Sequence, residues 1–485
     1  MQVRDGHHDG PPLVQVFGDV VEWSSEAAAG FGQVADVDGD GHVARDGSLR
    51  VLSEGVGVVD RSPLGGRHIE DREDVWREFV VDVVEGLELG SAALEDRVVA
   101  SHHASPHTIR RQSLLSILHA VCLIGNATYS DGRRRGCRAG RIGRMRVGAA
   151  RAVAVEWVRE RMRVDPSIEG ALFSGSTVGL PDDAVLPVSS DVDVLLVRDS
   201  PGAKVGKFVR GGVLLEVSTV TWAQLGGPED VLGSWVFAPM FRTDGVIADP
   251  SGRLAAVRRR VAAGFADPVW VRRRCAGVRR RVEDGLRALD ARAPLADQVL
   301  AWVFPTSLVA VWPAVAGLVD PTVRRRYVRA SEMLAGHGFG GRYPELLATL
   351  DGGGVGAGRV REHLAGLAVV FDEVARLPRE GFAFGADLGA AGRPVVFDGG
   401  AELVAAGRHR EAMFWVLVTY ARCDAVVAAV APERARVVRP GFEAVLADLR
   451  VVSAADRRRR ADAVLASLPA WQAVVDAVSR RVVAG

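Results

Sequence analysis

Asp191 and Asp193 lie two residues apart in Ser190-Asp191-Val192-Asp193-Val194-Leu195-Leu196-Val197, a run that is otherwise apolar. Such a run reads as a buried strand. Strand side chains alternate between faces, so both carboxylates project from the same one. Two like charges held that close repel unless a cation lies between them. Donors that are all oxygen suit a hard divalent ion such as Mg2+. Glu216 stands alone in a second apolar run, Gly212 to Val220. A single acid there is costly unless it is paired or bound to a metal. The face carrying Asp191 and Asp193 is the obvious partner, and a structural salt bridge to one of the many arginines is the alternative. Upstream, Leu172-Phe173-Ser174-Gly175-Ser176 closes a third apolar run on small residues. Backbone amides and the Ser176 hydroxyl of such a turn can hold a phosphate, and Thr177 adds a hydroxyl next door. The plainer reading is a tight turn with glycine as its default residue.

A Gly-Ser turn, a loop, Asp-x-Asp on a strand and a later strand acid resemble the nucleotidyltransferase superfamily, which includes DNA polymerase beta and the aminoglycoside adenylyltransferases. The resemblance covers roughly residues 148 to 252, and the loop before Asp191, with Pro181-Asp182-Asp183, is longer than the family's usual one. It implies that Gly175 and Ser176, with Thr177 beside them, cradle the triphosphate of ATP or another nucleoside triphosphate. Asp191 and Asp193 would bind one or two Mg2+ ions, and Glu216 would be a metal ligand or the base for an attacking hydroxyl. Lys204 is a further nucleotide-side candidate. It and Lys207 fall between the two acidic strands, where they either meet phosphate as point charges or decorate a solvated loop.

These residues need a small set of elements to position them. From about 145 to 252 the pattern is an amphipathic helix (Ala149 to Arg163), then strands Ile168 to Phe173, Val192 to Val197 and Val213 to Val220. From 253 to 485 apolar residues recur at helical spacing, as in Val278 to Leu289, Leu364 to Leu377 and Glu411 to Val430. Breaks are expected at Pro294, Gly352-Gly353-Gly354, the glycine-rich 381–400 and Pro440, with Val395-Val396-Phe397 as a short strand exception. The expected fold is α+β: a small mixed-sheet domain over 145–252, then an all-helical substrate or accessory domain over 253–485.

Residues 1–144 differ in character. They hold eight of the eleven histidines, and an acidic first hundred residues give way to a basic run from Arg133 to Arg146. Three readings compete: a disordered extension with a basic linker, a nucleic-acid-binding arm, or translated sequence upstream of a true start at Met145. The last is preferred because this block lacks the local consistency of a folding sequence. Asp36-Val37-Asp38-Gly39-Asp40-Gly41 imitates the start of a calcium loop, yet Gly47 stands where the bidentate Glu should be.

The net charge is +1, so no global pull toward nucleic acid or an anionic membrane follows. Four cysteines without metal spacing favour a reducing, cytoplasmic setting. Among 61 basic residues only Lys204 and Lys207 are lysine, a bias that suggests a GC-rich bacterial genome. Val299 to Val319 is uncharged over a bilayer-spanning length. With Pro305 and Pro313 inside it and acidic flanks, it reads as a buried helix pair broken at proline, and no stable membrane span is expected. Arg258-Arg259-Arg260 reads as a solvated helix face. The resemblance implies transfer of a nucleoside monophosphate, AMP from ATP, to an acceptor hydroxyl, with a small molecule such as an aminoglycoside as one candidate acceptor; nucleic acid is not the expected acceptor. A non-catalytic nucleotide-binding antitoxin or regulatory protein is the alternative, and loss of one acid would be its sign.

Overall fold

In the computed structural model residues 145–202, 205–352 and 354–484 are described. The expectations for 1–144, including the calcium-like loop, and that for Lys204 lie outside them. Helix α1 spans Val147–Val164. Its buried Val147, Ala150, Ala154 and Val158 recur at three and four residues, a stripe that lies against a sheet. The strands are β1 (Ile168–Ser174), β2 (Val192–Arg198), β3 (Gly206–Arg210), β4 (Val213–Thr221) and β5 (Val246–Ala248). Their order in the sheet is β3-β4-β2-β1-β5. β2 and β4 run parallel, and the other pairs are antiparallel.

Alternation along the strands divides the core into two. Val192, Val194 and Leu196, with Val213, Leu215 and Val217, face α1. Leu195, Val197 and Val220 face the other way. There they meet the short helices α2 (Trp222–Leu225), α3 (Pro228–Gly233) and α4 (Ala238–Arg242), together with α5 (Arg253–Gly264), through Leu225, Val231, Phe241, Leu254 and Val261. The first helix past residue 252 is therefore built into the sheet's core. Arg259 and Arg260 lie on the exposed face of α5, and Arg258 is half-buried there.

The remaining helices are α6 (Pro268–Arg287), α7 (Leu295–Ala316), α8 (Arg326–Gly336), α9 (Tyr343–Asp351), α10 (Ala357–Val374), α11 (Arg393–Ala405), α12 (His409–Val430), α13 (Ala435–Asp448) and α14 (Ala454–Ala484). They share one apolar core. The fold is thus α+β, a small mixed sheet followed by an all-helical region.

Three local expectations are corrected. Val299 to Val319 is not a helix pair: α7 runs continuously through Pro305 and Pro313. Burial on nearly all sides holds it, and Gly285 of α6 leaves the space that the Pro305 ring fills, since a Cβ there would lie 2.5 Å from the ring. Val395-Val396-Phe397 is not a strand but the first turns of α11, started by Pro394 in its first turn. Pro440 does not break a helix but lies inside α13, five residues from its start. Helices α7 and α12 are long and apolar enough to cross a membrane by length and composition, and 83% and 78% of their apolar windows are buried against the rest of the protein.

Candidate active site

The strand register sets four polar side chains in one row. Ser174 of β1 lies opposite Asp193 of β2, Asp193 lies opposite Glu216 of β4, and Glu216 lies opposite Lys207 of β3. Residues directly opposite one another share a face of the sheet. The row therefore lies on the face that carries Leu195 and Val197, at the end of it nearer the start of β2. Asp191, two residues before Asp193, belongs to the same face. Carboxylate oxygens of Asp191, Asp193 and Glu216 all lie within 4.8 Å of one another. The sequence expectation that these three acids converge is met.

The cation beside them was not expected. Lys207 is on strand β3, not in a solvated loop, and its side chain is only 4% exposed. Its Nζ lies 2.8 Å from Asp191 Oδ2, bonds Glu216 Oε2, and lies 3.4 Å from Asp387 Oδ1. Asp387 comes from the short turn Gly385–Leu388 in the helical region and is held by Arg422 of α12 at 3.1 Å. Arg422 is itself buried, with its guanidinium over the rings of Phe384 and Trp415. β3 comes this close to that turn because residue 206 is glycine: its φ is +79°, and a Cβ would meet the Ala386 Cβ at 2.5 Å. A cavity of about 10 Å3, room for one water, is lined by Lys207, Asp387 and Trp415. Asp387 Oδ1 and Trp415 Nε1 are both buried without a hydrogen-bond partner.

The all-oxygen donor set of Asp191, Asp193 and Glu216 fits a divalent cation. Two ligands on one Mg2+ are at most about 4.2 Å apart. The three acids thus need only a small closing to share one ion.

The turn after β1 approaches the acids closely. Gly175 has φ +70°, and a Cβ on it would fall 1.8 Å from Asp193 Oδ2. Only glycine lets the backbone lie directly against that carboxylate. Ser176 is exposed beside it. Arg151 of α1 fixes the turn from behind, donating from Nη2 to the carbonyls of Thr177, Val178 (3.1 Å) and Leu180 (2.9 Å). The chain continues as turns after Ser176 and enters no helix, so a helix dipole is not part of this cradle. Thr177 is 1% exposed and its hydroxyl is buried without a partner, so it lines the interior of the turn, away from solvent.

The helical region also holds the start of β2. Ser189 donates to Glu402 Oε2 at 2.7 Å and receives Arg324 Nη2 at 3.3 Å on both its carbonyl and its hydroxyl. Several other acids and a histidine of that region are held in pairs within it. Glu411 accepts from Tyr343 at 2.7 Å, Asp424 pairs with Arg439 at 2.6 Å, and buried His363 meets Asp448 at 2.6 Å.

No protein-family model matches the chain, and no curated protein matches it. Among solved structures it is similar to a nucleotidyltransferase-like protein from Exiguobacterium sibiricum 255-15, at 11% identity and a TM-score of 0.21, over 61% of this chain and 90% of that one. A TM-score of 0.21 is too low to bear on fold or chemistry.

Asp387, Arg422 and Arg324 had no sequence signal, because each comes to the neighbourhood of the acids from far along the chain. Lys207 had one: it is one of only two lysines among 61 basic residues. Its compact ammonium lies between two carboxylates.

Proposed function

We propose that this chain is a divalent-metal-dependent nucleotidyltransferase, moving a nucleoside monophosphate, AMP from ATP in the first instance, to an acceptor hydroxyl. The observation that carries this reading is the convergence of Asp191, Asp193 and Glu216, whose carboxylate oxygens lie within 4.8 Å of one another, with the Gly175 backbone lying against Asp193. Asp191, Asp193 and Glu216 would hold Mg2+. When bound, that ion would supply a Lewis acid that offsets the charge developing on the leaving pyrophosphate. The acceptor oxygen forms a bond to the α-phosphorus, the bond from that phosphorus to the bridging oxygen breaks, and pyrophosphate leaves. The hydroxyl proton passes to a base, for which Glu216 is the candidate if it is not fully engaged as a ligand. Gly175 and Ser176 would cradle the triphosphate through a backbone amide and a hydroxyl. Lys204, in the connection before β3, is the further nucleotide-side candidate. Lys207 holds Asp191 and Glu216 in place.

In this reading residues 145–252 with α5 form the catalytic part, the helices after α5 shape the acceptor pocket, and the protein works in the cytoplasm. A sheet domain followed by helices resembles the layout of aminoglycoside adenylyltransferases, an analogy that suggests a small-molecule acceptor and does not identify it. All three acids are in place, so the non-catalytic alternative is not preferred. The test is calorimetry of the full chain with a non-hydrolysable ATP analogue, with and without Mg2+. Metal-dependent binding that Asp191→Ala abolishes is expected. A folded protein that binds the analogue equally well with and without Mg2+, or not at all, would overturn the reading.

A further inference from the structure

A cleft of about 330 Å3 opens beside the start of β2, between the beginnings of α8 and α12 and the end of α11. Arg324, Arg325 and Arg408 line it, with Glu332 and Glu402. Both acids are already engaged, Glu332 with Arg329 at 3.1 Å and Glu402 with the Ser189 hydroxyl. Arg408 is shared between Ser331 at 3.1 Å and Glu411 at 3.2 Å. Arg325 is exposed and makes no ion pair among the described residues. Arg324 spends Nη2 on Ser189, while its buried Nη1, seated where a Cβ of Gly399 would be 2.1 Å away, has no hydrogen-bond partner. Burial pushes this guanidinium below its ordinary value, with Glu402 opposing and the charge of Arg325 adding to the shift. Arg325 and Arg408 are also the N-cap residues of α8 and α12, and neither helix has a side-chain cap. Their first amide N–H groups and positive dipole ends add to the same field.

The cleft therefore offers more positive charge than its own carboxylates use, and it adjoins the acids. Arg324 hydrogen-bonds Ser189, two residues before Asp191, and lies within electrostatic reach of Asp191 itself. From this we infer that the cleft binds the phosphate group of a phosphorylated acceptor whose hydroxyl reaches the acid row. This rests on the transfer reading above and narrows it. A polycationic aminoglycoside would meet repulsion from Arg324, Arg325 and Arg408, whereas a phosphate finds a guanidinium without an ion pair and two helix N-termini. The shared chemistry is a phosphate oxyanion, and its two possible sources are an acceptor and the nucleotide's own triphosphate.

The experiment uses the full chain and inorganic phosphate without divalent metal, followed by phosphorus NMR at constant ionic strength. A parallel titration uses the Mg2+ complex of the non-hydrolysable ATP analogue. Arg325→Glu is expected to weaken phosphate binding about tenfold or more while changing analogue binding less than about twofold. Arg325→Lys should retain most of the phosphate binding. Asp191→Asn should do the reverse of Arg325→Glu, sparing phosphate and removing the analogue. Phosphate binding that is absent, or indifferent to Arg325→Glu, overturns the inference. So does competition between phosphate and the analogue, or equal loss of both in Arg325→Glu, since either would give the cleft to the nucleotide. If the analogue never binds while phosphate does so through Arg325, the transfer reading fails and the acceptor assignment falls with it; an anion cleft alone survives.

Discussion

Replacing Lys207 with methionine removes the cation that the acid row lies against while keeping most of the side chain's volume. The ammonium is 4% exposed and contacts Asp191, Glu216 and Asp387. Removing one partner of a buried ion pair costs about 3–5 kcal/mol, because the charges left behind stay buried. A Coulomb estimate agrees: unit charges about 4 Å apart interact at about 4 kcal/mol with an effective dielectric near 20. The loss belongs at the upper part of that range, since Lys207 serves two carboxylates directly. It should be partly reversible. With the ammonium gone, a divalent ion meets the same acids with one less competing charge, and a gain of about 10- to 100-fold in affinity is about 1.4–2.8 kcal/mol. Urea denaturation of wild type and variant, with and without Mg2+ at matched ionic strength, measures both terms. The expected result is a large midpoint decrease without metal, an unchanged urea slope, and a greater stabilisation by Mg2+ in the variant than in wild type. A loss below about 1 kcal/mol, or equal stabilisation of both proteins by Mg2+, would refute the idea that Lys207 is the counter-charge of this cluster.

Other outcomes follow from the same geometry. Asp191→Asn and Asp193→Asn should each lower Mn2+ affinity about 10- to 100-fold, read by water-proton relaxation, with the far-ultraviolet circular dichroism spectrum unchanged; unaltered Mn2+ binding would remove these residues from the metal site. Gly175→Ala places a Cβ 1.8 Å from Asp193 Oδ2 at φ +70°. It should cost about 1–3 kcal/mol in urea melts and weaken Mg2+–ATP-analogue binding; a variant indistinguishable from wild type would show that the turn does not lie against Asp193. His363 is held below its ordinary value by burial, against the opposing pull of Asp448. The unfolded chain therefore takes up this proton first as pH falls. The stability that neutral His363 contributes is present above the ordinary histidine range and is lost as pH drops through it toward the folded value. His363→Gln should flatten the stability profile between neutral pH and about pH 5, and an unchanged slope would mean that other groups carry it.

The residues legible in the sequence were those whose partners lie close along one strand pattern. Asp191 and Asp193 declared a shared face by their spacing, and Glu216 declared a need for a partner by standing alone in an apolar run. What the pattern missed has two physical causes. β3 is five residues long and at the edge of the sheet, with only Gly206 buried on its backbone pattern, so it lacks the apolar alternation that marks a strand. Proline was over-weighted: Pro305, Pro313 and Pro440 all lie inside helices, because buried apolar packing around α7 and α13 outweighs the hydrogen bond each removes.

Long-range charge is the deeper gap. The acid row is completed from the helical region by Asp387 through Lys207, and the chain just before Asp191 is held by Arg324 and Glu402 through Ser189. These contacts tie the position of the candidate metal ligands to the packing of α8, α11 and α12. A substitution such as Gly399→Ala, far along the chain from the acids, should therefore displace Arg324 and loosen Ser189, because its Cβ would fall 2.1 Å from Arg324 Nη1. Metal affinity of Gly399→Ala measures that coupling. A weakening of about three- to tenfold is expected for a positioning effect of about 0.7–1.4 kcal/mol. If Mn2+ binds Gly399→Ala as it binds wild type while phosphate binding in the cleft is lost, Arg324 serves the cleft alone and the acids hold their geometry without it.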